Sequence, residues 1–137
     1  METKIVLEVA EAEFSRFTGA MDLDDGAGLA GEDSKSYSEN RARIVRAIMR
    51  GSLVINDKGE PVYTCQRGEP GAEPVKVTFY EPTGASLMAM DGKKKDHDVG
   101  KMYAVMGDIC KTPAVTFARM KNADLKVCQS LMVLFLA

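Results

Sequence analysis

Arg43, Arg46 and Arg50 are the residues of this chain whose type and spacing best suit a recognition chemistry. They recur at intervals of three and then four, so a helix places all three on one face. Guanidinium groups are planar, permanently charged forks that match the oxygens of carboxylates and phosphates. The ordinary fate of such a stripe is a solvated face. As a binding surface it suits an acidic protein better than nucleic acid, because 18 basic residues face 20 acidic ones, the net charge is -2, and no aromatics are interleaved with the arginines. A nucleic-acid-binding regulator using this basic face is the alternative.

Other residue types that could carry chemistry lack partners at a useful spacing. His97 is the single histidine and sits in the polar connector Lys93-Lys94-Lys95-Asp96-His97-Asp98, so a nucleophile has one base to draw on and nothing near it in sequence. Cys65, Cys110 and Cys128 are widely spaced and with His97 make no close pair of zinc ligands. The run Asp22-Leu23-Asp24-Asp25-Gly26 with Glu32 downstream resembles a calcium loop in composition. With Gly26 at the sixth position, however, the first and third ligands fall on Met21 and Leu23, which offer no hard oxygen. Gly26, Gly28 and Gly31 lie in an acidic stretch that repels phosphate. No catalytic, metal or cofactor residues are therefore assigned, and an enzyme is not expected.

The elements that position the arginines follow from periodicity and punctuation. Ser36-Tyr37-Ser38-Glu39 fits a capping box, opening a helix that runs to Arg50 with Ile44, Val45, Ile48 and Met49 as its apolar stripe and Gly51 as its stop. Before it, Lys4 to Val9 is β-prone and predicts an N-terminal strand, and the Gly-rich, acidic stretch 18–36 predicts a mobile loop. After it, Leu53-Val54-Ile55 and Val62-Tyr63-Thr64 flank a turn in which Gly59 can take positive φ, a hairpin pattern. Val75 to Tyr80 adds a strand, and 68–74 is a loop.

The C-terminal half reads as helical. A short helix over Ala85 to Met90 precedes one capped by Asp98, with Val99, Met102, Tyr103, Met106, Ile109 and Cys110 on its stripe. Thr112-Pro113 predicts a capped helix start. Asn122 can cap the last helix, whose core-facing stripe is expected at Leu125, Cys128, Met132 and Leu136. Because Leu131 to Leu136 is apolar all round, Val133, Leu134 and Phe135 are candidate protein-binding residues beside Arg43, Arg46 and Arg50. They could meet another part of the fold, a second copy or a client. Six of the nine methionines follow the third strand, where flexible thioethers fill core gaps or adapt to varied partners.

At 137 residues the expectation is one α+β domain spanning 1–137: a small, mainly antiparallel sheet with about four helices. Such a chain buries about two-thirds of its unfolded surface without disulfide or metal. The N-terminus lacks the pattern of a secretory signal, so a reducing cytoplasm is expected. No apolar run approaches the ~20 residues of a membrane helix.

Several of these segments also carry a family likeness. The strand ending in Phe79-Tyr80-Glu81-Pro82-Thr83-Gly84-Ala85-Ser86-Leu87, the turn Thr112-Pro113-Ala114 and the closing Asn122-Ala123-Asp124-Leu125 before an apolar helix resemble the tail assembly chaperone family of long-tailed bacteriophages. The resemblance covers Val75 to Leu136, and the loop 18–36 has no counterpart in the family pattern. It implies a non-enzymatic phage or prophage protein acting in the bacterial host cytoplasm. It also implies binding to the tape measure protein and help in recruiting tail tube subunits.

Overall fold

The computed structural model describes residues 5–23, 30–88 and 98–136. Among them the order is α1 (Leu7–Ala20), α2 (Gly31–Arg50), β1 (Leu53–Ile55), β2 (Pro61–Thr64), β3 (Lys76–Thr78), α3 (Gly84–Met88), α4 (Asp98–Cys110), α5 (Val115–Ala118) and α6 (Asn122–Leu136). The architecture is α+β, with a three-stranded antiparallel sheet in the order β1-β2-β3. No helix among the described residues is long and apolar enough to cross a membrane.

The N-terminal strand expected over Lys4 to Val9 is instead the start of α1. Its alternation covers only Ile5, Leu7 and Val9, and Leu7 and Val9 are exposed. A longer stripe overrides it: Ala10, Phe14, Phe17 and Met21 are buried at helical spacing. The helix ends in a Schellman-type turn, with Asp22 at φ 53 and the Leu23 amide donating to the Thr18 carbonyl at 2.9 Å. The expected loop 18–36 is correspondingly shorter. Residues 18–20 belong to α1 and Gly31 to Ser36 to α2, so Ser36 is inside a helix rather than capping one. Glu32 and Asp33 in the first turn complement the helix dipole at that earlier start.

α2 stops where expected. Gly51 adopts φ 81, its amide bonds the Ile48 carbonyl at 3.0 Å, and the Ser52 amide reaches the Ala47 carbonyl at 3.1 Å. The chain then enters the hairpin in the register Leu53↔Tyr63 and Ile55↔Pro61, and β3 joins with Tyr63↔Val77. Leu53, Ile55, Tyr63 and Val77 face the core. The Asn56 side chain accepts from the amides of Lys58 (3.0 Å) and Glu60 (2.9 Å), an Asx-type turn. Gly59 at φ 81 packs its bare Cα against Ala20, where any Cβ would collide. Arg16 of α1 clamps the same turn, donating to the carbonyls of Ile55 and Asn56, each at 2.7 Å.

Phe135 of α6 joins the layers. Its ring meets Phe17 edge-on at 5.4 Å and stacks with Phe79, just beyond β3, at 6.4 Å. α4 contributes Val105, Met106, Ile109 and Cys110, whereas Val99 is exposed. Gly107 lets the 112–114 turn close on α4, since a Cβ there would lie 2.8 Å from the Thr112 carbonyl oxygen. The helix expected at Thr112-Pro113 is the single turn α5, starting after Ala114 with no side-chain cap.

Candidate functional site: a basic cleft between two helices

α2 and α6 pack antiparallel, so that Asn40 and Arg43 meet Ser130 while the C-terminal end of α2 faces the first turns of α6. At that end a cleft of about 460 Å³ opens between residues of both helices and of the segment after β2. Arg43, Arg46 and Arg50 form one wall, Lys126 of α6 another, and Arg67 in the segment after β2 a third. The sequence reading found the three arginines but missed Arg67 and Lys126. Nothing in their local pattern marks them, because they reach the cleft through tertiary contacts, among them the bond from the Tyr63 hydroxyl to Asp124 that joins β2 to the start of α6.

The geometry fixes several of these groups. Arg43 donates to the Ser130 hydroxyl at 3.0 Å, and that hydroxyl donates to the Asn40 side-chain oxygen at 2.9 Å. Ser130 is fully buried, so the guanidinium is held from behind while its remaining donors stay free to face the cleft. Arg46 bonds the Ala42 carbonyl at 3.3 Å through Nε. The two ion pairs among the described residues are Arg16–Glu13 and Arg41–Glu11. The cleft's five cations are in neither.

One carboxylate lies in the floor, held by three hydrogen bonds from neutral donors. Asp124, only 2% exposed, accepts the Tyr63 hydroxyl at 2.6 Å and the Gln66 amide at 2.8 Å on Oδ1, and the Arg67 amide at 3.0 Å on Oδ2. It thus ties the start of α6 to the end of β2 and fixes the backbone from which Arg67 projects. Burial, then the hydrogen bond to Asp124, pushes the Tyr63 phenol far above its ordinary value. On the other side of Asp124 a smaller cavity of about 70 Å³ has Cys65, Arg119 and Lys121 in its lining, so positive charge continues around the base of α6.

The apolar candidates are placed differently from the expectation. Val133 is 39% exposed, but Leu134 is 4% and Phe135 8% exposed within this chain, so another part of the fold covers these two. The buried side of α6 is Asp124, Val127, Cys128, Leu131, Leu134 and Phe135, while Leu125 and Met132 are half-buried and Leu136 is exposed. The expected stripe was therefore rotated, since a helix apolar all round does not fix its own phase.

The thiols are built for packing. Cys65, Cys110 and Cys128 are all buried and unpaired in disulfides, with Cys128 Sγ 3.8 Å from Met120 Sδ. Desolvation first, and the Asp124 charge second, push Cys65 up to about 11. Burial raises Cys110 and Cys128 as well. Thiols held protonated in this way are poor nucleophiles and poor ligands at neutral pH. Among the described residues no group of His, Cys, Asp or Glu could hold a metal ion. His97, Gly26, Gly28 and the Asp24-Asp25 part of the calcium-like run lie outside the described residues, as do Met90 and the end expected for its helix. No protein-family model matches the chain, and no curated protein or solved structure matches it significantly.

Proposed function

We propose that this chain is a non-enzymatic tail assembly chaperone of a long-tailed phage or prophage. In this reading it acts in the bacterial cytoplasm, binds the tape measure protein, helps recruit tail tube subunits, and receives its client at the basic cleft between α2 and α6. The observation that carries the docking assignment is the convergence of five basic side chains on one concavity, none of them in an ion pair among the described residues. Arginine is enriched among the residues that anchor protein interfaces, and clustered positive charge steers an acidic partner to its site. The resemblance over Val75 to Leu136 supplies the client class.

The same cations support the alternative, a nucleic-acid-binding regulator, but their arrangement does not favour it. A helix that reads duplex DNA enters a groove roughly 12 Å wide and must be convex and free, whereas these groups line a hollow between packed helices. The test is capture of a purified tape measure protein from the phage or prophage that encodes this chain. The parent should retain it and the double variant Arg46→Glu/Arg50→Glu should not. A parent chain that captures neither tape measure nor tube protein refutes the reading.

A further inference from the structure

We infer that the cleft is a receptor for adjacent carboxylates on an acidic segment of a protein partner. This deepens the docking reading above and rests on it for the nature of the partner. Four of the five cations are arginines, whose forks bind carboxylates and phosphates in two parallel hydrogen bonds. The five cations line the hollow from α2, from the segment after β2 and from α6, so a single charge cannot satisfy them; two or more neighbouring anionic groups are needed. A volume of about 460 Å³ admits a few side chains of a peptide and no folded domain.

Carboxylate is favoured over nucleic acid by the lining itself. Single strands are held by bases stacked on exposed aromatic faces. The aromatic residue lining this cleft is Tyr63, which is 2% exposed with its hydroxyl spent on Asp124. No ring face is offered to a base. Asp124, 2% exposed and accepting from three neutral donors, is paired with none of these cations, and its single charge leaves the hollow with a positive excess. The chain as a whole carries a net charge of -2, so its attraction for anions is confined to this locality and selects a short acidic segment over an extended polyanion.

The experiment is fluorescence anisotropy with a labelled peptide of alternating glutamate and serine. Its glutamine counterpart, an oligothymidylate of matched charge and inorganic phosphate serve as competitors. The full chain should bind the glutamate peptide and not the glutamine one, with affinity falling as salt is raised. Arg46→Glu/Arg50→Glu should bind it at least about tenfold more weakly. Both positions are exposed, and circular dichroism checks that the variant is folded. Tighter binding of the oligothymidylate, displacement by phosphate at equal concentration, or no peptide binding at all overturns the proposal. So does a change in the parent's sedimentation on introducing the double substitution, which would make a second copy the occupant. A parent that captures the tape measure protein yet ignores the peptide loses this inference and keeps the chaperone reading. Peptide binding without client capture does the reverse.

Discussion

Asp124 is the point at which fold and cleft are most tightly coupled, and removing its carboxylate should damage both. The side chain lies in the first turn of α6, takes three hydrogen bonds, and is 2% exposed. Hydrogen bonds to a charged acceptor contribute about 1.5–3 kcal/mol each, and orphaned donors carry their own desolvation cost. The amides of Gln66 and Arg67 border the cleft and can be rehydrated, whereas the Tyr63 hydroxyl is deep. Asp124→Ala is therefore expected to cost about 3–5 kcal/mol, a large share of the ~5–15 kcal/mol that holds a domain together. At this chain length that lowers Tm by roughly 10–20 °C. Asp124→Asn keeps an acceptor for Tyr63 and Gln66 but sets an amide N–H against that of Arg67, for about 1–3 kcal/mol. Tyr63→Phe leaves the carboxylate with its two backbone donors and should cost about 1–2 kcal/mol. Urea unfolding followed by far-UV circular dichroism gives each value, and the double variant closes a cycle with an expected coupling of about 1–2 kcal/mol. If Asp124→Ala unfolds within about 1 kcal/mol of the parent, or the coupling vanishes, the latch is not a structural determinant. Asp124→Asn, folded but with a released Arg67, should also bind the acidic peptide more weakly than the parent.

Two further outcomes follow from burial. Leu134→Ala should cost about 2–5 kcal/mol and Leu134→Gln more, because an amide would be buried, while Val133→Gln should stay within about 0.5 kcal/mol; equal costs in urea unfolding would show that α6 is rotated otherwise. Tyr63, Cys65, Cys110 and Cys128 all have raised pKa values in the folded chain, so the unfolded state loses their protons first. The stability tied to them is complete below the unfolded values and declines as pH rises through the window from 9.0 to about 11 that Cys65 defines, by up to about 1.4 kcal/mol per pH unit for each titrating group. Cys65→Ala should flatten that decline, and stability that rises between those values would contradict the buried, neutral thiols.

What the sequence made legible was what local rules decide. Gly51 terminates α2 because a left-handed residue must follow the last turn, and Gly59 sits in the hairpin because the turn needs positive φ there. The three strands, with their intervening turn and loop, were readable from β-branched runs and turn residues. What misled was competition between periods. Ile5, Leu7 and Val9 alternate over five residues, but Phe14 and Phe17 bury far more surface, and the helix that buries them dictates the conformation of the weaker pattern. In α6 the error had the opposite origin: with apolar residues on every side, periodicity carried no phase. The missing cue was polar. Asp124 and Ser130 had to lie on the inward side to find Tyr63, Arg43 and Asn40, and once they are placed there Leu134 turns inward with them.

The cleft shows the same division between local and long-range information. The spacing of Arg43, Arg46 and Arg50 was enough to put three cations on one face, but a face is not a site. A solvated stripe and a binding cleft differ in what stands opposite, and here that is Arg67 and Lys126, brought across by the Asp124 latch and the antiparallel packing of α6 on α2. Whole-chain charge hid the concentration, since a balance of -2 averages a strongly basic hollow with an acidic remainder. Mutual repulsion among five cations in a concavity costs stability that no acidic partner in either ion pair offsets. Asp124 in the floor supplies one negative charge against five positive ones, and under the docking proposal an acidic partner would supply the rest.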